Sequence, residues 1–126
     1  MKSILIDTDV LINFLRGREK ARDFLASVIG EADLCCSVIS VAEIHAGVKG
    51  HEQARTAELL DSLTIIDVTR DIAEKAGAYK RIMRAQGLEL DDCLIAATAF
   101  ARHAVLATGN AKHYPMSDIK KNVVNG

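Results

Sequence analysis

At 126 residues the chain is long enough to bury one sizeable core, and two domains would each be marginal, so a single domain over residues 1–126 is expected. A hydrophobic share of 49% with 26% charged residues is that of a folded globular protein, and one proline with eight glycines leaves little room for disordered linkers. The formal net charge of -1 excludes a basic nucleic-acid coat and an acidic tail, so any polyanion must be met by local patches.

Short β-branched runs alternate with helical patterns, which predicts an α/β fold with a mostly parallel sheet. Residues 3–6 (SILI) read as strand one. A helix follows over residues 9–17, because Val10 and Phe14, and Leu11 and Leu15, repeat at helical spacing and Gly17 stops it. Residues 21–30 give a second helix. Strand two lies in LCCSVI, residues 34–39, or in its first half, after which Ser40 opens a helix to Gly50 with Glu43 in its first turn. Residues 51–63 supply another helix and residues 63–68 strand three. From Thr69 runs a long amphipathic helix in which Ile72, Ala76, Tyr79, Ile82 and Met83 share a face, closed by Gly87. Residues 91–103 form an alanine-rich buried helix, residues 104–108 strand four, and residues 118–124 offer a fifth strand at an edge. Two helices stand between strands three and four, so one of them must cross the sheet differently.

The three cysteines lack the spacing of a zinc knuckle or a redox CxxC motif, which argues against zinc held through sulfur. Cys35 and Cys36 should point to opposite sheet faces, as small core residues of a reducing cytosol. The run before Asp7 is too short for a signal peptide, and no other apolar stretch reaches a membrane span, so a cytoplasmic protein with no membrane partner is expected.

Three stretches set carboxylates among apolar residues: SILIDTDVLINFL, SVISVAEIHAG and LELDDCLIAATAF. None contains Lys or Arg, and an ionised carboxylate in such surroundings is costly unless paired, hydrogen-bonded or bound to a metal. Right-handed crossovers bring the ends of strands and the starts of helices to the carboxyl edge of the sheet, where Asp7, Glu43, Asp91 and Asp92 would converge. Such carboxylates would repel by about 4 kcal/mol per close pair at an effective dielectric near 20. Hard oxygen ligands select magnesium or manganese, and the chemistry implied is metal-assisted hydrolysis of a phosphodiester. Nearby helix N-termini favour the ionised form. The competing explanation is capping: Ser40 with Glu43 matches an SxxE box, and Asp7, Thr8, Asp9 or Asp91 could cap the helices they precede. The two roles are compatible.

HEQAR at position 51 starts like a zinc helix, but Arg55 stands where the second histidine is required. His45 and His103 read as ordinary surface or helix-end residues, and His113 as a loop residue near the acids. Basic clusters mostly form solvated helix faces, whereas Arg16, Lys49 and Lys112 follow the acidic segments and could contact phosphates. At 4% aromatic content an extended base-stacking platform is improbable.

IDTDVLINFL, SVISVAEIHAG, DDCLIAATA and ATGNAKHY, in that order, resemble the motifs of PIN-domain ribonucleases, and the whole chain closely resembles the VapC toxins of bacterial toxin–antitoxin pairs. The resemblance implies a PIN-like three-layer fold with a central sheet of four to five strands flanked by helices. It implies Mg2+, replaceable by Mn2+, endonucleolytic cleavage of RNA, a homodimer and a cognate antitoxin. Asp7 matches the family's first acid, Glu43 the second and Asp92 the third, with Asp91 beside it. Asn110 falls where many relatives carry a fourth acid, which bears on the number of metal ions; Asn110, Thr108 and Asp9 could orient a water or the metal. Two other readings are a phosphoacceptor receiver using Asp7, Asp9 and Asp67, and a nuclease-inactive PIN-like binding protein.

Overall fold

The computed structural model describes residues 2–125, so Met1 and Gly126, the ends of the expected domain, lie outside it. In chain order the elements are β1 (Ser3–Ile6), α1 (Thr8–Leu15), α2 (Glu19–Val28), β2 (Asp33–Ser37), α3 (Val38–Gly47), α4 (Gln53–Asp61), β3 (Thr64–Ile66), α5 (Arg70–Ile82), α6 (Leu90–Ala101), β4 (Val105–Thr108) and β5 (Lys120–Val123). Short 3-10 turns at Gly50–Glu52, Arg84–Gln86 and Ala111–His113 join them. The strands form one five-stranded sheet in the order β3-β2-β1-β4-β5, and every pairing is parallel.

Strand alternation divides the interior into two cores. Ile4, Ile6 and Cys36 pack with Val10, Leu11, Leu25, Ile44 and Leu60 on the side of α1 to α4. Leu5, Cys35 and Leu106 pack with Ile72, Ala76, Tyr79 and the alanines of α6 on the other. The adjacent cysteines thus face opposite ways, and burial pushes the Cys36 thiol up to about 12, so it stays an inert core group. The two helices between strands three and four stack on each other across one face, which carries the chain from the edge strand β3 to β4 beside β1.

Three expectations are corrected. The third helix begins at Val38, not after Ser40, because the Ser37 hydroxyl accepts from Ile39 N at 3.0 Å and caps it. Glu43 therefore sits in the second turn, and Ser40 with Glu43 makes no capping box. Strand two, Asp33–Ser37, takes in LCCS and stops before the last two residues of LCCSVI, close to the shorter of the two extents expected. Ile82 is 76% exposed and leaves the buried face of α5, which is carried by Ile72, Ala76 and Tyr79. The receiver reading also fails on topology: that fold needs its first and third strands adjacent. Here β2 separates β1 from β3, and Asp67 is exposed at the sheet edge.

Helix α6 ends in a Schellman arrangement, with Ala104 N donating to Ala99 O at 2.9 Å and His103 N to Phe100 O at 3.2 Å. His103 occupies the left-handed position of this motif at φ 51°, where glycine carries no steric penalty. His103→Gly is therefore expected to stabilise the protein by about 1 kcal/mol, read as a raised midpoint in urea. An unchanged or lowered midpoint would contradict the backbone argument.

Candidate metal-binding acidic site

The sheet order reverses at β1 and β4, so the crevice beyond their carboxyl ends is the topological switch point of the fold. Asp7 lies there, one residue past β1 and only 5% exposed. As the cap of α1, its Oδ1 accepts from Thr8 N at 2.8 Å, while Oδ2 accepts from the Thr108 hydroxyl, at the end of β4, at 2.7 Å. Capping and site membership are thus one geometry. Burial, then the charge of Asp9, pushes the Asp7 carboxyl up to about 6, against the pull of its hydrogen bonds.

Asp9 is held from β4. Its Oδ2 accepts from Gly109 N at 3.0 Å and from Asn110 Nδ2 at 3.1 Å, whereas Oδ1 is buried without a hydrogen-bond partner among the described residues. Asn110 therefore turns its amide donor to Asp9. A Cβ on Gly109 would lie 2.6 Å from Asp9 Oδ2 and 3.0 Å from Val124 O, so the close approach requires glycine.

Glu43 reaches the crevice from α3. Its Oε1 accepts from the Thr8 hydroxyl at 2.7 Å, and the same hydroxyl is hydrogen-bonded to that of Ser40 at 2.8 Å. Burial first, and the adjoining Asp91 carboxyl second, push Glu43 up to about 7. From the first turn of α6, Asp92 offers Oδ1 to the Tyr114 hydroxyl at 3.3 Å and Oδ2 to His113 Nδ1 at 3.3 Å. Its carboxyl is raised by burial and by Asp91, with His113 opposing. Tyr114 is fully buried, and burial together with Asp7 and Asp92 pushes its phenol upward, so it remains a proton donor between two acids.

The helix dipoles expected to keep these acids ionised are outweighed by burial and mutual repulsion. Among the described residues, the one ion pair made by Asp7, Asp9, Glu43, Asp91 or Asp92 is that of Asp92 with His113. The acids meet as pairs, Asp7 with Asp9 and Glu43 with Asp91, and among the described residues no three of His, Cys, Asp and Glu form a ready-made metal cage. Magnesium commonly uses one or two carboxylates and fills the remaining positions with water and substrate phosphate. A hard cation fits the donor set here: it would relieve the repulsion that raises the carboxyl groups, and Asp9 Oδ1 is a buried oxygen lacking a partner.

Sequence reasoning missed Thr8, Gly109 and Tyr114, and it left His113 as a loop residue. Arg16 and Lys49 lie apart from the acid cluster, in a cleft that Glu43 borders, and Lys112 is exposed on the 3-10 turn after Asn110.

The model of the PIN domain family matches residues 4–119, a span that contains every one of these acids. The chain belongs to the PIN-domain family. Its relatives place this PIN domain among the VapC proteins: it is 42% identical over 115 residues to "Ribonuclease VapC10" of Mycobacterium tuberculosis, covering 90% of this chain and 86% of the relative. It is 36% identical to "Ribonuclease VapC19" of the same organism, covering 89% and 92%. Among solved structures, a toxin-antitoxin complex from Klebsiella pneumoniae superposes with a TM-score of 0.79 at 30% identity, covering 92% of this PIN domain and 94% of that chain. VapBC2 from Rickettsia felis, bound to a promoter DNA fragment, superposes at 0.84 with 22% identity, covering 95% and 97%, and testifies to the fold. Among the described residues of this PIN domain, no helix is long and apolar enough to cross a membrane.

Proposed function

We propose that the chain is a Mg2+-dependent endoribonuclease, with Mn2+ able to substitute, that hydrolyses phosphodiester bonds in RNA as the toxin of a toxin–antitoxin pair. The observation that carries this reading is a set of buried and half-buried carboxylates at the switch point, pushed up in pKa and met by a single histidine. Asp7, Glu43 and Asp92, with Asp91 beside them, would hold the metal. Asp9, kept in place by Gly109 and Asn110, would orient one of its waters. When bound, the ion supplies neutralising charge and a water of lowered pKa.

The chain's own groups preorganise this arrangement. Thr108 and Thr8 N–H fix both oxygens of Asp7, and the Thr8 hydroxyl ties the start of α1 to Glu43. Tyr114, fully buried, donates its hydroxyl to Asp92 Oδ1. His113, with a side chain 55% exposed, sits on Asp92 at the mouth, where an incoming phosphate would pass. Arg16, Lys49 and Lys112 would contact the RNA backbone.

The reading extends to one PIN domain over residues 1–126, acting in the cytoplasm as a homodimer and restrained by a cognate antitoxin. The names of the M. tuberculosis relatives and the Klebsiella toxin-antitoxin complex support the ribonuclease and antitoxin parts. Exposed Ile82, Leu90, Phe100 and Val123 leave apolar surface for a second copy.

Purified protein with structured RNA and Mn2+ or Mg2+ is expected to give cleavage that a chelator abolishes. Glu43→Gln and Asp92→Asn are each expected to weaken Mn2+ binding about 10- to 100-fold by calorimetry. Wild-type affinity in both would remove the ligand set. No cleavage at all would leave the nuclease-inactive reading, and cleavage indifferent both to chelator and to Asp7→Asn would be contamination and remove the metal-dependent nuclease.

A further inference from the structure

A cleft of about 180 Å³ opens between α1, α3 and α4, and Glu43 forms one of its walls. Arg16 from the end of α1, Lys49 from the turn after α3 and Arg55 from α4 line the same cleft, and all three are exposed. Among the described residues none of them pairs with a carboxylate. Glu52, the other acid in the cleft, accepts from Lys49 N at 2.9 Å through Oε1, which holds it at the turn while it keeps its charge. Among the described residues the cleft thus sets three cations beside two carboxylates, Glu43 and Glu52, with no ion pair between them, in a chain whose net charge is -1. With no carboxylate in contact, the three side chains keep their donors free for an incoming polyanion.

We propose that this cleft binds the RNA backbone flanking the scissile phosphate, with Arg55, Arg16 and Lys49 on successive phosphates. The inference rests on the nuclease reading above and deepens it. Glu43 belongs both to the cleft and to the acidic site, so the cleft borders that site and a strand leaving it would meet the cleft next. Its floor includes Ile44 and Val48, which suits ribose and base edges between charged contacts. The larger groove of about 800 Å³ between α1, α2 and α4 is mainly apolar and does not include the acids, so it has neither the charge nor the position for this role. Arg55, the residue that spoils the HEQAR zinc motif, acquires a purpose here.

The test uses Asp7→Asn protein, so that a short single-stranded oligoribonucleotide is bound and not cut, and follows Kd against salt. Adding Arg16→Gln, Lys49→Gln and Arg55→Gln is expected to reduce the salt slope by about 2, at roughly 0.7 for each phosphate no longer neutralised. In the otherwise wild-type enzyme, the triple substitution is expected to raise KM for RNA by about tenfold or more with kcat and Mn2+ affinity nearly unchanged. Arg18→Gln with Lys20→Gln, exposed and outside the cleft, serves as control and should leave both readings unchanged. An unaltered slope and KM in the triple variant overturns the proposal, as does an equal effect in the control. Loss of binding to a polyglutamate peptide with normal RNA binding also overturns it and makes the cleft a protein-docking surface. Failure of the nuclease reading is distinguishable, because wild-type protein would then show no chelator-sensitive cleavage.

Discussion

Asp7→Asn is expected to reduce metal-dependent RNA cleavage at least about 100-fold, the upper end of what even outer-shell changes cost, while making the metal-free protein more stable. The amide preserves the local hydrogen bonds: its oxygen accepts from Thr8 N–H, and its NH2 can donate to the Thr108 hydroxyl. It removes the buried charge. Because folding raises the Asp7 carboxyl from 3.8 to about 6, the native state binds a proton more tightly than the unfolded chain. Stability attributable to this group is undiminished below about pH 4, falls as pH rises towards 6, and stays reduced above it. The deficit at neutral pH is on the order of 3 kcal/mol, since each pKa unit corresponds to about 1.4 kcal/mol and folding raises the group from 3.8 to about 6. The variant's advantage in chelator should thus open between pH 4 and pH 6 and persist at pH 7.5, measured by urea denaturation. Saturating Mn2+ should narrow the gap at pH 7.5, because binding stabilises the native state of the wild type more than that of the variant. A variant no more stable than wild type at any pH would show that Asp7 is not under the electrostatic load that motivates a metal there.

The fold was legible because its signals are local. SILI, the helical spacing of α1, the Thr69 cap of α5 and the small residues of α6 each predict their element without reference to the rest of the chain. Elements misread at one boundary were those with two competing signals. Ser37 and Ser40 both stand where a helix could open, only Ser40 at box spacing from Glu43, and the structure uses Ser37 for the cap. Ser40 is then freed to bond Thr8, 32 positions earlier in the chain, a contact that no local pattern announces. Ile82 fitted the helical repeat of α5 but lies beyond the reach of the sheet, where periodicity alone does not distinguish core from solvent.

For the acidic positions, their arrival at one sheet edge followed from strand ends and crossover handedness. Their partners did not, since Thr108, Gly109, Asn110 and Tyr114 meet Asp7, Asp9 and Asp92 across sequence separations of 22 to 101 residues. Tyr114 had a faint signal, being an aromatic residue directly after His113 in a segment otherwise rich in turn formers. Asn110 was legible only as a missing carboxylate; the structure gives it a positive task, donating to Asp9.

Gly109→Ala should reveal how much that task matters, and the two clashes decide what gives way. Val124 O, 3.0 Å from the added Cβ, is backbone held by the 2.8 Å bond from Val124 N to Thr108 O, so it yields only slightly. Asp9 Oδ2, at 2.6 Å, is the end of a side chain that can rotate, and it moves first. Rotation breaks the bond from Gly109 N and weakens that from Asn110 Nδ2, so the new methyl is accommodated at the expense of the carboxylate's position. Destabilisation should stay near 1 kcal/mol, the low end for overpacking, whereas Mn2+ affinity and cleavage should fall about 10- to 100-fold. Asn110→Ala removes one of the two donors without the clash, and its loss of Mn2+ affinity should be the smaller. Wild-type Mn2+ affinity in Gly109→Ala, with the expected small loss of stability, would show that Asp9 is a structural brace and not part of the ion's surroundings. A large loss of stability with unchanged metal binding would instead place the strain on β5, leaving Asp9 where it is.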